Sequence, residues 1–209
     1  MITPTGAQIH RAYQECLAYF KRPGAIKTSV RSLKSGGKAE WFFDVDPLLN
    51  DPVGCRNATF LYVECLEKLA RQQRVDCFAS IGKAGGGTVG AIRLAGAVSI
   101  YSGIPNVVIR LDKKIVTEQI KLPPVDGRPG KEQLQGAKIV IITDHSTTAT
   151  EILKAVQVVK RNGGEVTDVI AYSTIPSELR KQELEAQGIN IHSLYELPRD
   201  ARSVGIGIE

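Results

Sequence analysis

Apolar positions recur along this chain in two periods, and the switches between those periods divide it into elements. Ile9, Tyr13, Cys16, Leu17 and Phe20 fall on one helical face, which predicts a first helix over residues 6 to 21, ended by Pro23-Gly24. Ala25 to Leu33 is β-like, Lys34-Ser-Gly-Gly-Lys38 is a turn, and Trp41-Phe-Phe43 is an aromatic strand closing on Asp44. Residues 51 to 72 predict a second helix. These opening elements are expected to form a small N-terminal hood (about 1–72) on a core of about 73–195, within one domain spanning 1–209. No linker, low-complexity segment or internal repeat divides the chain.

From there, short apolar runs alternate with helical spacing. Val75 to Ile81 predicts a strand, Gly82-Lys-Ala-Gly-Gly-Gly87 a glycine-rich loop, and Thr88 to Ser102 a helix of small residues. Strands are predicted over Asn106 to Arg110, Lys138 to Thr143, Glu165 to Ser173 and Asn190 to Leu194. Helices are predicted from the turn after Asp144 to about Arg161 and from Pro176 to Gln187. Alternation of this kind predicts an α/β fold with a doubly wound, mostly parallel sheet. Ligands of such sheets bind at the carboxyl ends of the strands. Three segments converge there: the glycine loop, the segment after Arg110, and Asp144 to Thr150. Leu111 to Gly136 shows no strong period over about 26 residues, beyond the usual loop length. It carries Lys113, Lys114, Lys121, Arg128 and Lys131, so it reads either as a lid over an anion or as a solvated loop.

The most informative stretch is Lys138 to Ala155. A β-branched apolar run, Ile139 to Ile142, leads to Asp144 and then to Ser146, Thr147, Thr148 and Thr150. Ile152, Leu153, Val156 and Val159 follow at helical spacing. A strand, a hydroxyl-rich turn and a helix start direct N–H groups, hydroxyls and positive potential at one spot, which suits a phosphate. The same residues also read as an ordinary Ser/Thr N-cap. His145, beside Asp144, is either an acid/base group or a hydrogen-bonded neighbour.

Composition adds limits. The 209 residues suffice for one domain with a full core, and 43% hydrophobic with 23% charged residues is ordinary for a globular protein. The net charge of +5 fits small polyanions or nucleic acid, or only a basic surface. No aromatic–basic motif or helix-turn-helix accompanies it, so nucleic acid ranks last. The 4 cysteines lack metal-like spacing and read as free thiols of a reducing, cytoplasmic compartment, and the 3 histidines do not suggest zinc. The polar N-terminus and the absence of a long apolar run predict neither signal peptide nor membrane span.

The strand ending in Asp144 and followed by Thr147-Thr148-Ala149-Thr150 resembles the phosphoribosyl diphosphate (PRPP) signature of type I phosphoribosyltransferases. Ser32-Leu33-Lys34-Ser35-Gly36, then Trp41-Phe42-Phe43-Asp44, and Arg110-Leu111-Asp112-Lys113-Lys114 narrow the resemblance to the orotate phosphoribosyltransferases. The resemblance runs in order over about residues 15 to 195. It implies transfer of ribose 5-phosphate from PRPP to orotate or a related planar base, with Mg²⁺ and release of pyrophosphate. By position, Asp144 would hold the ribose hydroxyls and touch Mg²⁺ only through water, and Thr147, Thr148, Ala149 and Thr150 would cradle the 5-phosphate. Arg110, Lys114 and Lys34 would contact pyrophosphate, with Lys113 close by and Gly85, Gly86 and Gly87 offering backbone approach. Phe42 and Phe43 match aromatics against the base, although strand alternation lets only one face a given pocket and core packing is the other reading. The loop lysine of the family reaches a neighbouring subunit, which implies a homodimer.

Departures from the pattern are as specific. Thr143 stands where the family has the first of two acids, His145 and Ser146 replace apolar residues, and Ala149 replaces a glycine. Leu111 replaces a loop-root cation, and a lid histidine would fall at Val116. Tyr172-Ser173-Thr174-Ile175-Pro176 lacks the family's Asp-Arg, and Arg180 comes later on a helix. The alternative implied by these losses is a non-catalytic protein that senses PRPP or a nucleotide on the same fold.

Overall fold

A computed structural model describes residues 4–20, 22, 25–27, 31–32, 38–39, 42–83, 89–111, 119–121, 134–146, 150–174 and 178–196. The first helix, α1 (Gly6–Tyr19), begins at a capping box. The Thr5 hydroxyl accepts the Gln8 N–H at 3.3 Å, and the Gln8 side chain accepts the Thr5 N–H at 2.8 Å. The helix stops short of the expected residue 21, at the Phe20 cap. The expected strand over 25 to 33 is represented by β1 (Ile26–Lys27) and β2 (Arg31–Ser32). The latter pairs antiparallel with β3 (Lys38–Ala39), and β1 pairs antiparallel with β4 (Phe42–Phe43).

A short helix that the sequence pattern did not predict, α2 (Asp46–Asn50), precedes α3 (Pro52–Gln72). Pro52 follows the N-cap Asp51, whose carboxylate accepts the Val53 N–H at 3.2 Å. Then follow β5 (Cys77–Lys83), α4 (Val89–Ser102), β6 (Asn106–Leu111), β7 (Gln119–Lys121), β8 (Lys138–Ser146), α5 (Thr150–Arg161), β9 (Glu165–Thr174), α6 (Glu178–Glu185) and β10 (Asn190–Glu196).

Three corrections bear on the site. Gly82 and Lys83 are the last residues of β5 rather than the start of a loop, because they pair with Arg110 and Leu111. Asp144, His145 and Ser146 extend β8 rather than opening a turn, with His145 paired to Ser173 and Ser146 to Thr174. The segment expected to be structureless between Leu111 and Gly136 contains β7, which pairs antiparallel with β6.

The sheet order is β10-β9-β8-β5-β6-β7, with the first five strands mutually parallel and β7 an antiparallel edge. The period of two along β8 divides its side chains between two cores. Val140 and Ile142 join Phe20, Tyr62, Leu66, Phe78, Leu94 and Tyr172 on the face covered by α1 to α4. Ile139 and Ile141 join Ala79, Ile109, Val156, Val159 and Leu184 on the face of α5 and α6. Both faces of a parallel sheet are thereby buried. A register shift near the start of β8 opposite β9 moves Asp168 onto the first face, beside the end of α3. Gly163, at φ 81°, closes α5, a backbone conformation that glycine adopts without strain. Among the described residues no helix is long and apolar enough to cross a membrane. Cys16, Cys55, Cys65 and Cys77 are free, and burial pushes the thiols of Cys16 and Cys65 up to about 11 and that of Cys77 up to about 12.

Candidate active site at the parting of two strands

From β5 the chain passes to β6 on one side, and β8 lies on the other. The strand order therefore reverses between β5 and β8, where open α/β sheets bind ligands. Pairing between these two strands ends at Ser80 with Ile142. Beyond that point β8 continues along β9 alone, and β5 along β6. Thr143 and Asp144 stand on the diverging side of this gap, with residual exposures of 6% and 9%. Both are held polar in a buried place, which requires partners.

One partner comes from α3. The Tyr62 hydroxyl, in a side chain only 1% exposed, donates to the Thr143 main-chain carbonyl at 2.6 Å. Burial, and then the negative charge of Asp144, push the Tyr62 phenol well above its usual range, so it stays protonated and remains a donor. The Asp144 carboxylate points at the start of α4. A methyl group built on Gly90 would stand 2.9 Å from Asp144 Oδ2, 3.1 Å from Leu49 Cδ1 and 3.4 Å from Val45 Cγ1. The helix backbone thus approaches the acid as closely as the absence of a side chain allows. Arg93 of the same helix donates to Asn50 Oδ1 at 2.6 Å, tying α4 to the end of α2.

The other expected site residues divide into two groups. Arg110 is the last residue but one of β6, between Gly82 of β5 and Gln119 of β7, which sets its backbone on the carboxyl edge of the sheet, separated from β8 by β5. Thr150 is the first residue of α5, after the segment that follows β8. Phe42 and Phe43 form β4, in register with Lys27 and Ile26, and His145 lies in β8. Lys34, Gly85, Gly86, Gly87, Lys113, Lys114, Val116, Thr147, Thr148 and Ala149 lie outside the described residues, as do the side chains of Arg110, Phe42, Phe43, His145 and Arg180. At the end of β9, where the family's Asp-Arg is missing, the Thr174 hydroxyl donates to Ser193 Oγ at 3.0 Å.

Tyr62 and Gly90 did not stand out in the sequence. Tyr62 sits among apolar helix positions like any core aromatic, and Gly90 follows a run of glycines that masks its separate role.

No family model matches the chain. Orotate phosphoribosyltransferase from Bradyrhizobium diazoefficiens is 32% identical over 167 residues, covering 78% of this chain and 83% of that protein. The enzyme of the same name from Pyrococcus horikoshii is 22% identical over 183 residues, 88% of this chain and 90% of that one. Among solved structures, Aeropyrum pernix orotate phosphoribosyltransferase superposes with a TM-score of 0.67 at 21% identity, covering 90% of this chain and 94% of that one. The Mycobacterium tuberculosis enzyme in complex with PRPP superposes with a TM-score of 0.60 at 19% identity, covering 93% and 99%. The solved structures share the fold, a type I phosphoribosyltransferase sheet with its helices, and the Bradyrhizobium relative extends the likeness to sequence over most of both chains. With an acid at the strand end, the sheet parting beside it and that level of identity, the chain belongs to the orotate phosphoribosyltransferase family.

Proposed function

We infer that this chain is a glycosyltransferase of pyrimidine biosynthesis that moves the 5-phosphoribosyl group of PRPP onto orotate. The observation that carries this reading is Asp144, buried at the carboxyl end of β8 where that strand parts from β5. In the transfer, the bond from ribose C1 to the diphosphate breaks, and its electron pair leaves with pyrophosphate. The lone pair of the base nitrogen forms the new bond to C1, and the nitrogen's proton passes to water or to the departing pyrophosphate. The sugar is oxocarbenium-like in between, so positive charge gathers on the ribose and negative charge on the leaving group.

Each residue has a task in that scheme. Asp144 holds the ribose hydroxyls and faces the developing sugar cation. Thr147, Thr148, Ala149 and Thr150 receive the 5-phosphate at the N-terminus of α5. Arg110, Lys114, Lys34 and Lys113 take up the charge of the pyrophosphate, and Gly85, Gly86 and Gly87 let backbone approach it. Phe42 or Phe43 lies against the base. Mg²⁺ would neutralise the leaving pyrophosphate. Among the described residues no three His, Cys, Asp or Glu side chains converge, and Asp144, buried at the strand end, would meet the ion through water. That donor set fits an ion carried mostly by substrate phosphates.

We propose further that the chain works as one domain, its hood limited to the short β1 to β4 ladders between Ile26 and Phe43 rather than the expected 1–72, since α1 to α3 pack on the core sheet, and that it acts as a homodimer in the cytoplasm. Ile92, Gly96 and Ile100 recur every fourth residue on α4; Ile92 is 40% and Ile100 79% exposed, and open space surrounds Gly96. A second copy of the chain would cover that face. Free, protonated thiols suit a reducing compartment.

A second reading, PRPP sensing without turnover, is favoured by Thr143. It occupies the position of an acid in the family pattern, and its carbonyl is committed to Tyr62. The test is pyrophosphate release from PRPP and Mg²⁺ with orotate and a panel of other bases. Release with orotate supports the transferase. Saturable PRPP binding with no release from any base leaves the sensor, and failure to bind PRPP removes both readings.

A further inference from the structure

Gly90 is the second residue of α4, directly after the 84–88 segment. Its backbone is not in the left-handed region, so conformation does not call for glycine there. Glycine is a poorer helix former than alanine. What calls for it is space. Of the three groups that a methyl would meet, Leu49 and Val45 are core side chains only 5% and 6% exposed. The third is the far end of the Asp144 side chain, at 2.9 Å. Packed apolar side chains resist displacement, whereas a carboxylate swings about two bonds, so the acid is the wall that yields.

We propose that Gly90 is a positioning residue for phosphoribosyl transfer: its missing side chain lets α4 close on Asp144 and sets where that carboxylate points. The proposal rests on the role given to Asp144 above. Tyr62 fixes the strand end from the opposite direction, by binding the carbonyl of the preceding residue. Main chain and carboxylate are thereby set by two helices, α3 and α4. A displacement of about 1 Å at a catalytic group can cost on the order of 100-fold in rate, so a methyl's worth of movement is enough to matter.

The experiment is a cycle of Gly90→Ala, Asp144→Asn and the double variant, with kcat, the KM for PRPP and urea unfolding measured for each. Gly90→Ala is expected to fold with an unchanged or higher unfolding midpoint, to lose about 10- to 100-fold in kcat, and to change KM much less. In the Asp144→Asn background the same substitution is expected to change kcat by less than about 2-fold, because the group it displaces no longer acts. Leu49→Val, which removes about the carbon that Gly90→Ala adds, is expected to restore kcat when the two are combined, and it keeps the test open if the single variant folds poorly. Wild-type kcat in Gly90→Ala, an equal loss in both backgrounds, or a folded Leu49→Val/Gly90→Ala pair with no recovery would each overturn the proposal. Wild-type turnover in Asp144→Asn is a different failure: it removes the role of Asp144 itself. No turnover in the wild-type chain removes the transferase reading and this proposal with it.

Discussion

The hydroxyl of Tyr62 on α3 binds the main-chain carbonyl of Thr143 at 2.6 Å, one residue before Asp144. This bond joins the helical face of the core to the point where β8 leaves β5. Tyr62→Phe keeps the ring and removes only the donor, leaving a buried carbonyl without it. The expected cost is about 1–3 kcal/mol, read as a lower urea midpoint with an unchanged m-value. Turnover should fall as well, because the backbone that carries Asp144 is less fixed. Unchanged stability and kcat would mean that a water replaces the phenol without loss.

Gly54 reports on the packing of α2 against α3. A methyl there would lie 2.5 Å from the Leu48 carbonyl oxygen and 2.7 Å from Leu48 Cδ1. Here, unlike at Gly90, the obstacle is main chain and cannot rotate away. Gly54→Ala is expected to destabilise by about 1–3 kcal/mol by forcing α2 from α3, despite the better helix propensity of alanine. Thermal unfolding of the two glycine variants side by side checks the contrast: Gly54→Ala lowers the midpoint and Gly90→Ala does not.

A pH dependence is built into the other end of β9. Asp168, 2% exposed, accepts from Gln73 Nε2 and lies 2.7 Å from His192 Nε2. Burial alone would raise its carboxyl, but the hydrogen bonds from His192 and Gln73 outweigh it and hold the group below its ordinary value of 3.8. A carboxyl depressed in the folded state stabilises fully above its unfolded value. That contribution is lost as pH falls from about 4 through the folded value, because the unfolded chain then binds the proton first. Asp168→Asn should therefore lower stability near neutrality and flatten the acid limb of a plot of unfolding free energy against pH. A variant with the same acid slope as wild type would show that Asp168 does not carry it.

The parallel core was legible because its side chains carry the pattern. Ile139 to Ile142 read as a doubly buried strand, and the helical spacing from Ile152 to Val159 read as α5. Strand ends were not legible, because ladder bonds are made by backbone and ignore side-chain polarity. Asp144 to Ser146 and Gly82-Lys83 look like turns yet continue their strands along β9 and β6. β7 offers one apolar residue, Ile120, and α2 is only 5 residues long, so neither shows a period. Asp144 was found because an acid after an apolar strand is a local signal. Gly90 and Tyr62 act through space, on a residue far along the chain, and a linear pattern does not carry that relation.

Whether a site is completed by its neighbour can be read from mixed dimers. In a symmetric dimer, Lys114→Ala and Asp144→Asn subunits each lack one part of the proposed machinery. If Lys114 serves the site of the other subunit, a heterodimer of the two variants has one site with both defects and one with none. Random mixing then makes half of the dimers hybrid with half of their sites intact, so about a quarter of wild-type turnover should return. If Lys114 serves its own subunit, every site keeps one defect and mixing restores nothing. The measurement is pyrophosphate release after the two inactive proteins are unfolded together, refolded and compared with each refolded alone. Ile100→Glu supplies the control, since a charge on the exposed face of α4 should weaken the dimer and abolish the regained activity. Regained turnover that survives Ile100→Glu would place the subunit contact elsewhere on the molecule.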